Sequence, residues 1–413
     1  VTPNRRRLLL ILLILAGVIN YADRQIIAVL KPVLEHDLRW SDQDYGLLTS
    51  VFQFAVAVSC LGVGWFVDRV GLKWANPLSV AVWSLSAMGH AVARTLAQFV
   101  VVRVALGASE AVYTPAAVKS FAAFYTPQER GLALGVMNAS NNIGAIITPL
   151  IVPALAVALG WRAAFLIIGG IGLVWAAAWF PLMFGAVSQA TKPSEAVRLS
   201  PLKAVSWGEV LGDRRTWAIM GAKALCDNPW WFLLFWAPDL FHRVFHLGLS
   251  QIGLPLAVIY ACAAGGSLLG GFASGRLMRM GLSLNAARKL ALLVCALLVT
   301  PVVLVLFVKS LWLATALLGL ALAAHQGFST NVFALITDII PTRRVGSVTS
   351  LGALSGNLAG MSILALVGFS LAHGGSFVPF FAFISIAYLL SLGWVQLLLP
   401  RLQPAETPEP FAP

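Results

Sequence analysis

An acid and a base stand side by side in the first long apolar stretch of this chain: Asp23 and Arg24, within Asn20-Tyr21-Ala22-Asp23-Arg24-Gln25, between Leu8 and Leu30. Each such charge costs roughly 2.5 to 3.5 kcal/mol at the centre of a bilayer, so it faces a partner, a water-filled cavity or a ligand. The plain alternative is an ion pair that only joins helices. Helical spacing puts Asn20 and Tyr21 on the same side as Arg24. The planar, permanently charged fork of Arg24 fits a carboxylate, a geometry that lysine matches poorly. Arg24 is therefore expected to anchor a substrate carboxylate, against the alternative of a static pair with Asp23 or Glu110.

Further polar residues interrupt other apolar stretches. Arg103, Gly107, Glu110 and Thr114 follow at steps of four, three and four, a polar stripe on one helix face. A buried acid beside an arginine can exchange a proton as its surroundings change, which makes Glu110 and Asp23, with Arg103, the candidate proton-coupling set. Interacting acids titrate together, so one proton is not assigned to one residue. Lys223 and Asp227 stand at i, i+4, the spacing of a buried helical ion pair, and Trp230 and Trp231 follow. A tryptophan can stack on the apolar face of a sugar ring, and it also marks membrane interfaces. His325, Gln326, Ser329 and Asn331, then Asn138, Asn141 and Asn142, then Ser355 and Asn357 supply donors and acceptors suited to a polyhydroxylated ligand. The same groups suit the joining of helices. Lys119 can extend its charge toward the membrane surface.

The elements that position these residues read as an all-α integral membrane protein. Of 413 residues, 59% are hydrophobic and 11% charged, with a mean hydropathy of +0.86; soluble domains carry about 25% charged residues. Twelve apolar windows, each long enough to cross a hydrocarbon core near 30 Å, fall at 8–30, 46–67, 75–93, 97–121, 132–158, 162–184, 216–241, 251–275, 287–308, 311–336, 346–372 and 376–399. The first follows Arg5, Arg6 and Arg7 as a signal peptide's apolar region would, yet its length and its charges read as a retained helix. The polar interruption divides the chain into a six-helix bundle at 1–184, a cytoplasmic loop at 185–215 and a second bundle at 216–400. A proline-rich polar tail at 401–413 is expected to be disordered.

The formal net charge of +12 follows membrane orientation rather than nucleic-acid binding. With the N-terminus inside, 18 basic residues fall on the cytoplasmic side and 6 opposite, and both termini are cytoplasmic. Cys60, Cys226, Cys262 and Cys295 lie in apolar windows without metal-ligand spacing, which suits packing rather than a disulfide or zinc. Nucleophile elbows, phosphate loops and metal-ligand spacings are missing from any supporting context, so neither an enzyme nor a cofactor or metal is expected.

An internal repeat accompanies the division. Gly64-Trp-Phe-Val-Asp68-Arg69 recurs as Gly271-Phe-Ala-Ser-Gly275-Arg276, and Pro127-Gln-Glu-Arg130 as Pro341-Thr-Arg-Arg344, at offsets of 207 and 214 residues. Parallel repeats with a binding site near the midplane mark one class of secondary transporters. The stretch Gly64-x-x-x-Asp68-Arg69-x-Gly71-x-Lys73 resembles the signature of the loop between helices two and three in the major facilitator superfamily. That resemblance implies two pseudo-symmetric six-helix bundles and a gating role for Gly64, Asp68, Arg69 and Gly71. A role in topology and folding fits the same residues. Asp68 is expected near a neighbouring helix N-terminus, with glycines making a tight turn.

Four more stretches sharpen the likeness: Ile19-Asn-Tyr-Ala-Asp-Arg-Gln25; Gly107-Ala-Ser-Glu110 with Pro115-Ala-Ala-Val-Lys119; Trp230-Trp-Phe-Leu-Leu-Phe-Trp-Ala-Pro238; and Ala324-His-Gln-Gly-Phe-Ser329 with Asn331. They resemble the hexuronate transporters of the anion:cation symporter family. The resemblance implies proton-driven import of a sugar acid such as glucuronate or galacturonate across the bacterial cytoplasmic (inner) membrane, by alternating access and as a monomer. Its partners would be the organic anion, protons and the bilayer, without nucleic acid. Substrate binding then falls to Arg24, Tyr21, Asn20, Lys223, Trp230, Trp231, His325, Gln326, Ser329, Asn331, Asn138 and Asn142. Two sites depart from the family pattern: Phe52 is followed by Val56 where a tyrosine is frequent, and Cys226-Asp227-Asn228-Pro229 replaces Thr-Asp-Pro. These departures admit another organic acid, such as an aldonate, aldarate or aromatic carboxylate. From a different class, the alternative is a transporter-like sugar-acid sensor.

Overall fold

Residues 3–124, 127–190 and 206–403 are described by the computed structural model, and every regular element among them is helical. The first half comprises α1 (Pro3–Val29), α2 (Lys31–Leu38), α3 (Asp42–Ser59), α4 (Val63–Val70), α5 (Leu72–Val92), α6 (Leu96–Glu110), α7 (Tyr113–Phe124), α8 (Pro127–Leu159) and α9 (Trp161–Ala190). The second comprises α10 (Trp207–Leu211), α11 (Arg214–Phe245), α12 (Gly253–Arg279), α13 (Leu284–Val299), α14 (Leu311–Ile339), α15 (Thr342–Ala372) and α16 (Val378–Leu398), with a 3-10 segment at Thr300–Leu306. Each of the twelve apolar windows falls on one helix or on a broken pair of helices. Helix α9 continues to Ala190, past the expected end at 184. Residues 191–205 of the central loop and 404–413 of the tail lie outside the described residues.

Local chemistry sets several of these ends. Ser41 and Asp44 form a reciprocal capping box that starts α3, and Thr95 with Gln98 does the same for α6. Gly71 ends α4 and starts α5 at φ 78°, a left-handed value that favours glycine, so the tight turn expected there is present. The fourth window breaks between Glu110 and Tyr113. Pro115 explains the place: without an N–H it cannot donate to the Ala111 carbonyl, so a continuous helix fails one turn earlier.

Among the described residues nine helices are long and apolar enough to cross a membrane, or ten if α3 and α4, bent by 58°, are one span. Helices α5 and α11 fall short in apolarity rather than length, with Asn76, Ser79 and His90 in one and Lys223, Asp227 and Asp239 in the other. Large apolar side chains such as Val174, Leu268 and Leu397 are more than two-thirds exposed, which suits a lipid surround and would aggregate in water.

The chain clusters into two compact units. The first holds Val1–Glu195, Trp231–Ala261 and Met361–Ser376; the second holds Ala196–Trp230, Cys262–Gly360 and Phe377–Pro413. Segments of α11, α12 and α15 therefore belong to the first unit. Within it α1 packs on α8 and α9, α5 packs on α6 and α9, and α3 packs on α6. In the second unit α13 packs on α14 and α16.

Candidate functional site

The first unit gathers its charges where α1, α3 and α6 meet. Helix α6 approaches α3 so closely that a Cβ on Gly107 would lie 2.6 Å from the Phe52 carbonyl oxygen, so only glycine fits. One turn on, Glu110 is buried, and its Oε2 accepts from Arg24 Nε at 2.6 Å. The partner of Arg24 is thus Glu110 and not its neighbour Asp23. The Arg24 guanidinium also lies over Tyr21, Phe52 and Trp231, at 5.4, 5.6 and 6.0 Å from the ring centroids. Arg103 sits over Phe52 as well, at 5.5 Å, so one phenyl ring carries two guanidinium groups.

Several atoms of this cluster have no hydrogen-bond partner among the described residues. They are both Asp23 oxygens, Glu110 Oε1, the three guanidinium nitrogens of Arg103 and both amide atoms of Gln53. Asp23, Arg103 and Gln53 are at most 1% exposed. Asp23 lies within electrostatic reach of Glu110 and Arg103. Two acids and two arginines balance formally, yet only one short contact joins them. Such a site can take a proton, water or an anion without first breaking a packed network.

Other expected residues of this unit divide. Asn20 is buried with Nδ2 unpartnered, and Asn141 Oδ1 is unpartnered close to Gly17. Asn142 is partly buried, while the side chain of Asn138 lies outside the described residues. Thr114 is exposed beyond the helix break and so leaves the stripe of Arg103, Gly107 and Glu110. At the α4–α5 turn, Asp68 accepts from Lys119 Nζ at 2.7 Å, and Lys119 also donates to the Val67 carbonyl at 3.1 Å. Arg69 lies over Trp65 at 5.9 Å. A Cβ on Gly64 would meet nothing within 4 Å, so space does not require glycine there.

The second unit holds a tighter polar cluster. Lys223 Nζ donates to Asp227 Oδ1 at 2.8 Å and lies 3.4 Å from Ser329 Oγ. Trp230 stacks on His325 at 5.0 Å between centroids, His325 Nδ1 meets Tyr388 Oη at 2.8 Å, and Tyr388 donates to the Cys226 carbonyl at 3.2 Å. A tyrosine O–H committed to that carbonyl accepts from His325, which fixes the imidazole with Nδ1 as the donor. Gln326 is partly buried in the same helix. The two tryptophans part company: Trp230 faces His325 in the second unit, whereas Trp231 faces Arg24 in the first.

Asn331, expected among the ligand-binding residues, is bonded to its own helix and to α12. It is fully buried, donates to the Gly270 and Gly327 carbonyls at 3.1 and 2.9 Å, and accepts from Arg288 at 3.3 Å. Both amide hydrogens are engaged in holding α12 and α14 together. Ser355 likewise donates to the Met220 carbonyl at 2.9 Å, and Asn357 to the Ala353 carbonyl at 2.8 Å.

One buried charge cluster was not anticipated. Lys31, with no exposed surface, lies 2.6 Å from Glu35, 2.8 Å from Asp42 and 2.9 Å from Asp239. Arg243 pairs with Asp239 at 2.8 Å and with Asp42. The available signal was Asp239, an acid within the apolar window 216–241 and subject to the same insertion cost as Asp23.

An all-helical, lipid-facing chain that buries paired and unpaired charges in its interior has the make-up of a polytopic membrane carrier. The model of the Major Facilitator Superfamily matches residues 13–363, and the chain belongs to that family. It is similar to the "Probable L-galactonate transporter" of Escherichia coli strain K12, 29% identical over 83% of this chain and 78% of the relative. It is also similar to the "Hexuronate transporter" of the same strain, 28% identical over 92% and 90%. A crystal structure of a bacterial homolog to the human lysosomal transporter Spinster, inward-facing and occupied, shares the fold with a TM-score of 0.73 at 19% identity, covering 96% of both chains. The family and the named relatives are transporters, not enzymes.

Proposed function

We propose that this chain is a proton-coupled symporter that imports a hexuronate, such as glucuronate or galacturonate, through the bacterial cytoplasmic membrane. On this reading it works as a monomer with both termini cytoplasmic. The observation that carries the proposal is the single Arg24–Glu110 pair beside the unpartnered Asp23. A substrate carboxylate competes with Glu110 for the Arg24 fork, which is better suited to two-point recognition than the present Nε contact. A buried carboxylate deprived of its cation is costly, so transfer of Arg24 to the substrate and proton uptake at Glu110 or Asp23 proceed together. Proton and substrate then favour the same state, which symport requires. The relatives named for hexuronate and galactonate transport support a sugar acid, and Tyr21 and Trp231 around Arg24 are suited to a ring.

The second reading is a carrier of an aldonate, aldarate or aromatic carboxylate, which the galactonate-named relative and Cys226 at the place of a threonine favour. Uptake of a labelled sugar-acid panel into proteoliposomes, with and without an inward proton gradient, tests both. Gradient-stimulated accumulation of a hexuronate is expected. Accumulation indifferent to the gradient rejects symport, and preference for an aldonate or aromatic acid replaces the substrate.

A further inference from the structure

At one end of the second unit, where α11 begins and α14 and α16 end, a cavity of about 290 Å³ is walled by Arg214, Arg215, Arg401, Asp213 and Leu399. Arg215 is neutralised by Asp213 at 2.8 Å, and Arg344 bridges Glu209 and Asp213 at 3.1 and 3.6 Å. Arg214 and Arg401 are exposed and pair with no carboxylate among the described residues. Among the described residues, the cavity wall holds three arginines against one acid, an excess of positive charge.

A second hollow, about 480 Å³, runs between α13 and α16 and is lined by Leu290, Leu293, Leu389 and Leu392, with Lys289 and Gln396 at one end. Lys289 links the linings of the two hollows. Its Nζ donates to Gln396 at 2.7 Å and to the carbonyls of Leu399 and Pro400 at 2.8 and 2.7 Å, the turn that leads to Arg401. Trp207 and Trp217, 58% and 47% exposed, stand on the same end of the unit, where amphipathic rings settle at a headgroup layer.

We propose that the cationic cavity and the apolar groove form one site for an anionic phospholipid, with the phosphate between Arg214 and Arg401 and an acyl chain along α13 and α16. An apolar hollow whose polar end bonds the turn carrying Arg401 matches a molecule that carries an anion on a hydrocarbon tail. Free phosphate matches only the first half. Each arginine near an anionic headgroup contributes about five-fold in binding.

Native mass spectrometry of the full chain, released from bilayers holding phosphatidylglycerol and phosphatidylcholine in equal amounts, tests the site. The protein is expected to retain phosphatidylglycerol over phosphatidylcholine. Arg401→Ala should lower that retention about five-fold and Arg214→Ala/Arg401→Ala about twenty-five-fold. Both side chains are exposed and unpaired among the described residues, so folding is preserved. Leu293→Trp, which fills the groove, should reduce retention with both arginines intact, and the control Arg279→Ala should leave it unchanged. Equal retention of the two lipids, or an Arg279→Ala loss as large as that of Arg401→Ala, overturns the proposal. Inorganic phosphate that displaces the lipid, together with an indifferent Leu293→Trp, assigns the cavity to a soluble anion and overturns it as well.

Discussion

Around Asp23, Arg103 and Glu110 in the first unit, six buried polar atoms lack partners among the described residues. Lys223, Asp227, Ser329 and His325 in the second carry none themselves, although the neighbouring Asn228 Oδ1 is unpartnered among the described residues. Both clusters place charge in apolar helices, yet only the second is chemically closed. A closed pair with its hydrogen bonds in place has one favoured arrangement, and removing either member leaves the other stranded. An open cluster has several arrangements of similar cost, separated by a proton, a water or a ligand. On the proposed reading, the contrast suits exchange in the first unit and rigidity in the second.

Glu110→Gln is expected to break the first half of this contrast most completely. The amide keeps the shape and a hydrogen bond for Arg24 but cannot take up a proton, so accumulation against a gradient should vanish while counterflow survives within about ten-fold. Undiminished accumulation in proteoliposomes removes Glu110 from coupling. The second half is tested by stability. Lys223→Met should cost about 3 kcal/mol by leaving Asp227 uncompensated, whereas Lys223→Met/Asp227→Leu should recover most of it. Additive losses in chemical unfolding would show that the pair is not a closed unit. Arg24→Lys keeps the charge and loses the fork; substrate binding measured by calorimetry should weaken by about 2 kcal/mol. Unchanged affinity would place the carboxylate anchor elsewhere.

The helices were legible because apolar length is a local property of the sequence, and each of the twelve windows is met by a helix or a broken pair. The break at Glu110 was legible in principle from Pro115. The charged residues of the first unit were found by their cost in an apolar stretch, but the pairing of Arg24 was left between Asp23 and Glu110: Arg24 and Glu110 meet across 86 positions, a distance that helical spacing cannot encode. The same limit explains Asn331, whose type suits a sugar hydroxyl and a helix backbone equally until its neighbours are known. Trp230 and Trp231, adjacent in sequence, point about 100° apart on a helix, and so serve different clusters. Lys31 was passed over because it stands at the edge of its window; only Glu35, Asp42 and Asp239 around it show that it is buried.

The second unit also has a polar end that is open to titration. Burial pushes the Asp213 carboxyl up, but the Arg215 hydrogen bonds and the Arg215 and Arg344 charges outweigh it and hold the group below its ordinary value. An acid whose folded value is depressed stabilises the protein above its unfolded value, near 3.9, and loses that contribution as pH falls through the folded one. The wild-type protein should therefore exceed Asp213→Asn in stability by about 0.5 kcal/mol at neutral pH, the scale of a solvent-screened pair. Below about pH 4 the difference should shrink toward zero. Thermal unfolding of both proteins across that range measures it, and a difference constant with pH would mean that Asp213 acts through its shape alone.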